Sequence, residues 1–226
     1  MRARAMQYST SMSSTTMRLS AAAAFIIATS TAHADVDWAR GLVTAEGIGV
    51  ANRAAPTPAS ARGPARRMAE EAARKKLAGV VGAVPIAEGG TVEAKVKADA
   101  AVKAAVEKAV ANAIVIAAEP ETDGSWKVTM AVPIEALRLA AVVGGPRTLA
   151  SDDGAAVMVV EGAGATKPAV GYKVGGVAAA VVFVKEVPAW AKDAPRVKAK
   201  GAAKAGAIDA ASGNATEATL FVIQTK

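Results

Sequence analysis

One stretch constrains this chain more than any other: Pro64-Ala-Arg-Arg-Met-Ala-Glu-Glu-Ala-Ala-Arg-Lys-Lys-Leu-Ala-Gly79, read with the apolar run at residues 42–50 before it. Ala65, Met68, Ala69, Ala72, Ala73, Leu77 and Val80 recur at three- and four-residue steps. That period predicts a helix with one apolar face. Pro64 suits a first helical turn and Gly79 a stop. Residues 38–50 read as a strand in which Gly47 and Gly49 mark a kink, a bulge or a close approach of another backbone. The proline- and arginine-rich residues 52–63 read as the loop between strand and helix.

The outer face of this helix carries Arg66/Glu70, Arg67/Glu71, Glu70/Arg74 and Glu71/Lys75, all at i,i+4. Each such pair adds about 0.2–0.5 kcal/mol to a helix. Alternating charge of this kind is ordinarily a solvated, ion-paired face, and that reading is preferred. The functional alternative is a docking surface built from Arg66, Arg67, Arg74 and Lys75. Lys76 falls near the middle of the apolar arc, where its stem is expected to snorkel.

The start of the chain reads as an export leader. Met17-Arg-Leu-Ser is followed by the apolar residues 21–28 and by Ala32-His33-Ala34, a small-x-small cleavage signal. Its apolar run is shorter than the ~20 residues of a membrane span. Cleavage is expected after Ala34, so residues 1–34 form a signal peptide. The residues before Met17 are either a long n-region or the product of a mis-assigned start, with Met17 as initiator the preferred reading. Taking 34 residues from 226 leaves 192. Removing Arg2, Arg4 and Arg18 from 27 bases leaves 24, against 20 acids, a net charge of +4. With few aromatics and no basic stripe, nucleic acid is not an expected partner.

The chain has no cysteine, and its one histidine, His33, lies in the leader. Histidine- and cysteine-based nucleophile systems are therefore excluded from the processed chain, as are the common His/Cys metal sites. No catalytic, cofactor or metal residues are expected. Gly47-Ile-Gly49 lacks the third glycine of a dinucleotide loop, since Asn52 stands there. Gly162-Ala-Gly164-Ala-Thr-Lys167 lacks the phosphate-loop pattern, and Pro168 stands where a helix should begin.

Further along, residues 91–96 alternate Val92, Ala94 and Val96 and predict a strand. Residues 98–112 predict a helix with Val102, Val106 and Val110 on its inner stripe and Asp99/Lys103 and Lys103/Glu107 outside. Residues 113–118 read as a buried strand. Asp123-Gly124 is a hairpin turn into the strand at 125–132, and residues 133–141 form a short helix. The order β-α-β-α-β-β implies an α+β fold, two helices on a small, mostly antiparallel sheet. Gly144-Gly145-Pro146 marks a boundary, so the expected domains are 35–143 and a β-rich region at 144–226 with strands at 155–160, 176–184 and 218–223. Trp190, in the irregular stretch 187–195, is either a cap on the smaller core or an exposed contact, core being preferred.

The order of residues resembles a known family. Thr44-Ala-Glu-Gly-Ile-Gly49 closes a strand, and Ala-x-x-Met-Ala-Glu-x-Ala-Ala-Arg-x-x-Leu follows at residues 65–77. Trp-x-Val-x-Met-x-Val follows the Asp-Gly turn at 126–132. This pattern is similar to the Lpp-twenty family of small exported lipoproteins, which shares its fold with the N-terminal domain of the flagellar assembly protein FlgT. Fainter echoes lie in Val157-Met-Val-Val-Glu-Gly, in residues 194–201 and in Thr-Glu-Ala-Thr-Leu-Phe-Val-Ile at 216–223. The resemblance implies a non-enzymatic envelope protein that acts in binding or assembly. Its expected site is flagellar or at the outer membrane, with an envelope protein, the outer membrane or peptidoglycan as associate. The chain departs from these lipoproteins in lacking the lipidated cysteine. The alternative from another class is a periplasmic carrier that holds a small ligand in a cleft between the two halves. A hydrolase built on Asp152 and Asp153 is the weakest reading, since adjacent carboxylates more readily cap a turn.

Overall fold

The computed structural model describes residues 34–143 and 155–225. Most of the leader, the break at 144–146 and the Asp152–Asp153 pair lie outside the described residues. The chain enters as β1 (Ala34–Asp37) and returns antiparallel as β2 (Leu42–Gly49). Asp37 makes the turn, its Oδ1 accepting from the backbone N–H of Ala39 at 3.1 Å and Arg40 at 2.9 Å. The strand expected at 38–50 is thus the second arm of a hairpin that starts earlier.

Helix α1 (Pro58–Ala83) begins at Pro58, ahead of the expected Pro64. The reason is local: Thr57 and Ser60 form a capping box, with Thr57 Oγ1 accepting from Ser60 N at 3.2 Å and Ser60 Oγ from Thr57 N at 3.3 Å. Pro64 then sits inside the helix, where it cannot donate to the Ser60 carbonyl. Both residues face solvent, so water can take that acceptor. The helix runs past Gly79 to Ala83, and Pro85 follows its cap at Val84.

The buried face of α1 is narrower than the sequence period implied. Ala61, Ala65, Ala69, Ala73, Leu77 and Val81 are all buried, one every four residues, whereas Met68 is 52% exposed. Lys76 also points to solvent, outside the arc in which it was expected. This i±4 ridge lies on β2. A Cβ on Gly47 would overlap the Ala69 carbonyl oxygen and stand 2.9 Å from Ala73 Cα. One on Gly49 would overlap the Ala65 carbonyl oxygen and stand 2.7 Å from Ala69 N. Of the three expectations for these glycines, close backbone approach is the one realised. Small residues on both surfaces bring helix and strand together, and Leu77 and Val81 extend the contact into the core at about 1.5–3 kcal/mol each.

Two helices follow where a strand and a helix were expected. Residues 92–96 belong to α2 (Val92–Ala98), not to a strand, and Thr91 is its N-cap. Val92 and Val96 are also an i,i+4 pair, Thr91 Oγ1 caps Ala94 N at 3.4 Å, and Glu93 reaches Lys97 at 2.6 Å. These helical contacts outweigh the weak period-two signal. Asp99 breaks the chain and caps α3 (Ala100–Ala111), its Oδ1 accepting from Ala101 N at 2.7 Å and Val102 N at 3.3 Å. It therefore serves the backbone rather than Lys103. Lys103 reaches Glu107 at 4.0 Å, and Val102, Val106 and Val110 face inward as expected.

The hairpin at Asp123-Gly124 forms between β3 (Ile114–Pro120) and β4 (Trp126–Pro133). Gly124 adopts φ +86°, and Asp123 Oδ1 accepts from Ser125 N at 2.9 Å. Helix α4 (Ile134–Arg138) follows and passes into a π-helical turn that ends at Val143. The sheet order is β1-β2-β4-β3, antiparallel throughout, with α1 across β2 and β4. The fold is α+β, as expected.

The second half holds β5 (Val157–Glu161), β6 (Lys173–Val174), β7 (Val177–Ala178), β8 (Ala180–Val184), β9 (Arg196–Lys198), β10 (Ala207–Ile208) and β11 (Leu220–Gln224). Four of these make a parallel sheet in the order β8-β11-β5-β9. Both faces are buried: Met158, Val160, Phe183 and Phe221 line one side, and Val159, Val182, Val184 and Val222 the other. That burial accounts for their continuous apolar runs. Backbone bonds tie this half to the first, from Phe183 N to Trp38 O at 3.0 Å and between Val170 and both Pro85 and Ala87 at 2.9 and 2.8 Å. Buried Arg138 grips Glu135 through two bonds of 2.7 Å.

Candidate functional site

The basic face of α1 is only partly ion-paired. Arg66 Nε meets Glu70 Oε1 at 3.0 Å, and its guanidinium lies 5.4 Å from the centre of the Trp126 ring. Charge and stacking together fix that arginine against the β4 end of the sheet. Of the sequence pairs on this face, Arg66/Glu70 is the one that closes. Arg67 and Lys75 are exposed and make no ion pair among the described residues. Arg74 lies lower on the helix with its Nε buried and without a hydrogen-bond partner.

Trp190 is not a core residue. It is 60% exposed in a short 3₁₀ turn, Ala189–Ala191, which corrects the preferred reading from the sequence. The turn is anchored by buried Ala191 instead, and the small core that the tryptophan was expected to cap is filled by valines. Trp190 lines an open cleft of about 710 Å³ with Trp38, Phe183 and Pro188, flanked by Asp37, Arg40, Lys185 and Glu186. Trp38 and Phe183 meet edge to face at 5.8 Å, so this cleft sits where the two halves join. None of the four basic residues on α1 lines it.

The largest departure from expectation is β3. Residues 113–118 read as a buried strand, yet Ile114 is 51% exposed, Val115 41% and Ile116 44%. The strand is the outer one of its sheet, and α1 covers β2 and β4 rather than β3. Its register slips between Val115 and Ala117, so Ile116 sits in a bulge. Three consecutive large aliphatic side chains therefore stand beside an open strand edge. Such edges are normally short, charged or covered, and an apolar one is suited to receive another strand. Glu119 and Glu121 lie at its far end, both exposed. An apolar run followed by acids was visible in the sequence, but nothing there shows whether a strand is central or at an edge.

Elsewhere the electrostatics are structural. Glu46 Oε2 and Lys127 Nζ pair at 3.1 Å across β2 and β4, which raises the lysine above its ordinary range. The backbone N–H of Ser125 holds the Asp123 carboxyl below its usual value. Among the described residues there is no group of three or more His, Cys, Asp or Glu side chains placed to hold a metal ion. Nor, among them, is any helix long and apolar enough to cross a membrane. No family model and no curated protein matches this chain.

Proposed function

We propose that this chain is a non-enzymatic cell-envelope protein that assembles with a protein partner by strand addition at β3. The observation that carries this reading is the exposed Ile114-Val115-Ile116 run on an open sheet edge. Partner backbone would pair with the free edge while its apolar side chains cover the three aliphatic ones. A base opposite Glu119 or Glu121 would set the direction of the incoming strand. The resemblance to Lpp-twenty and FlgT-like proteins supports an envelope address, as does the leader. Because β1 opens at Ala34, cleavage after that residue leaves the hairpin essentially whole. The basic face of α1 contributes only a modest, salt-screened attraction to acidic envelope surfaces.

A second reading is favoured by the cleft at Trp38, Phe183 and Trp190, which sits where a carrier of small ligands would hold its cargo. It is open and flanked by charges rather than deep and apolar, so it stands behind assembly. Fractionation of cells expressing a C-terminally tagged chain, with N-terminal sequencing and mild crosslinking, separates the two. Assembly requires a mature start at Asp35 and a crosslinked envelope partner that Ile116→Lys releases. A chain that stays free and uncrosslinked in the periplasm overturns assembly and leaves the carrier.

A further inference from the structure

The cleft where the two halves join holds two of the chain's three tryptophans, Trp38 and Trp190. Both are fixed from beneath. Trp38 rests edge to face on buried Phe183, and its carbonyl accepts from Phe183 N–H at 3.0 Å. Trp190 stands on a turn closed by Ala191 N–H to the Pro188 carbonyl at 2.9 Å and rooted by buried Ala191. An indole left largely in water on a fixed turn adds little to its own core, but it offers a flat contact at small cost in side-chain freedom. Around these rings stand groups of both polarities. Asp35 and Asp37 each spend Oδ1 on local backbone, at 2.7 Å from Val36 N and at 3.1 and 2.9 Å from Ala39 N and Arg40 N. Asp37 Oδ2 lies 3.9 Å from Arg40 Nε, too far for a hydrogen bond. Lys185 and Glu186 are exposed and make no ion pair among the described residues.

The cleft thus presents three carboxylates that only accept and two bases that only donate, beside aromatic faces. An anion would meet the carboxylates, a cation the bases, and a hydrocarbon chain would leave all five without a partner. A proline-rich segment, the usual guest of aromatic grooves, brings carbonyl acceptors and too few donors for three acids. A sugar ring suits both kinds of group. Each hydroxyl donates and accepts, and the C–H face of a pyranose lies flat on the electron-rich face of an indole. We propose that this cleft binds a neutral saccharide, stacked on Trp190 with its hydroxyls held by the acids and bases around that ring. Its volume of about 710 Å³ lies within the roughly 300–1,000 Å³ of small-molecule sites, and its open mouth admits a ring that belongs to a longer chain. A free oligosaccharide and a wall glycan present the same chemistry here. This assignment narrows the carrier reading of the cleft to one ligand class and uses no residue of β3.

The test is titration of the processed chain with tetra-N-acetylchitotetraose and with maltotetraose, followed by calorimetry and by the indole N–H signals in NMR. At least one tetrasaccharide should bind saturably and move the Trp38 and Trp190 signals. The signal of Trp126, whose Nε1 is buried, should stay in place. Trp190→Ala should weaken binding by about tenfold and Trp190→Phe by less, while Ile116→Lys should bind like the parent. Far-UV circular dichroism establishes that each variant is folded. Sedimentation with purified peptidoglycan distinguishes the sources: co-sedimentation that the soluble sugar competes away assigns a wall glycan, and its absence assigns a free oligosaccharide. Titrations with phenylalanine and with a proline decapeptide separate the fate of the saccharide from that of the cleft. If either moves the Trp190 signal and neither tetrasaccharide does, the cleft serves another ligand and the assignment falls. Absence of saturable binding by both tetrasaccharides, or a Trp190→Ala variant that binds as tightly as the parent, overturns it as well.

Discussion

Replacing Gly47 with alanine places one methyl group where the structure has none to spare. The added carbon would overlap the Ala69 carbonyl oxygen and lie 2.9 Å from Ala73 Cα, both backbone atoms of α1. No side chain can rotate away to relieve this, so the helix itself must withdraw by on the order of an ångström. Withdrawal loosens Ala65, Ala69, Ala73, Leu77 and Val81 together, because all are buried along one ridge. Overpacking commonly costs about 1–3 kcal/mol, and a backbone-on-backbone clash belongs at the top of that span. The gain from removing a glycine from a strand, about 0.5–1 kcal/mol, offsets part of it. The expected net loss is thus about 2–2.5 kcal/mol, or roughly 4–10 °C in melting temperature for a chain of this size. Urea unfolding followed by tryptophan fluorescence and circular dichroism measures it, with Gly79→Ala as the control. A Cβ at Gly79 meets nothing within 4 Å, so that variant should gain about 0.5–1 kcal/mol from helix propensity alone. If Gly47→Ala unfolds within about 0.5 kcal/mol of the parent, the close-approach account of this interface is wrong.

Other perturbations test other parts of the fold. Thr57→Ala removes the capping box that starts α1 and should cost about 1 kcal/mol in the same unfolding assay. Tyr172 is buried, its hydroxyl donates to the Lys167 carbonyl at 2.9 Å, and burial raises its pKa. A raised folded-state value means that stability is complete below the ordinary tyrosine pKa and falls as pH rises through the folded one. Tyr172→Phe should therefore flatten the alkaline limb of a stability–pH curve above about pH 10. Asp123 has the opposite sign, its pKa lowered by Ser125 N–H. Its contribution is present above the ordinary aspartate pKa and is lost as pH falls through the depressed one, so Asp123→Asn should flatten the acid limb.

How much of this was legible in the sequence depends on whether the signal was local. The Asp123-Gly124 hairpin, the valine stripe of α3 and the strand at residues 157–161 follow from turn chemistry and period, and each stands where expected. The start of α1 was misplaced because Pro64 resembles an initiating proline, whereas the Thr57–Ser60 box acts a full turn and more upstream. Residues 91–96 were misread because Val92, Ala94 and Val96 satisfy a period of two, while Val92 and Val96 alone satisfy a helix; the capping hydroxyl of Thr91 decides it. The exposed edge at β3 was the least legible. Ile114-Val115-Ile116 has the composition of a central strand, and its exposure depends on which strand pairs beside β4 and on how far α1 reaches across the sheet. Trp190 was likewise assigned by its scarcity, although its burial depends on how valines from four different segments fill the core beneath it.

The most direct test of the central claim is site-specific photo-crosslinking in cells, with a benzophenone amino acid placed at Ile116 and, as control, at Lys97, whose side chain is 73% exposed on α2. Strand addition at β3 predicts one discrete adduct with an envelope protein from position 116, absent from position 97 and lost when Ile114→Lys is combined with the probe. Equal adducts from both positions, or none from position 116 in a chain that is processed and folded, would contradict it.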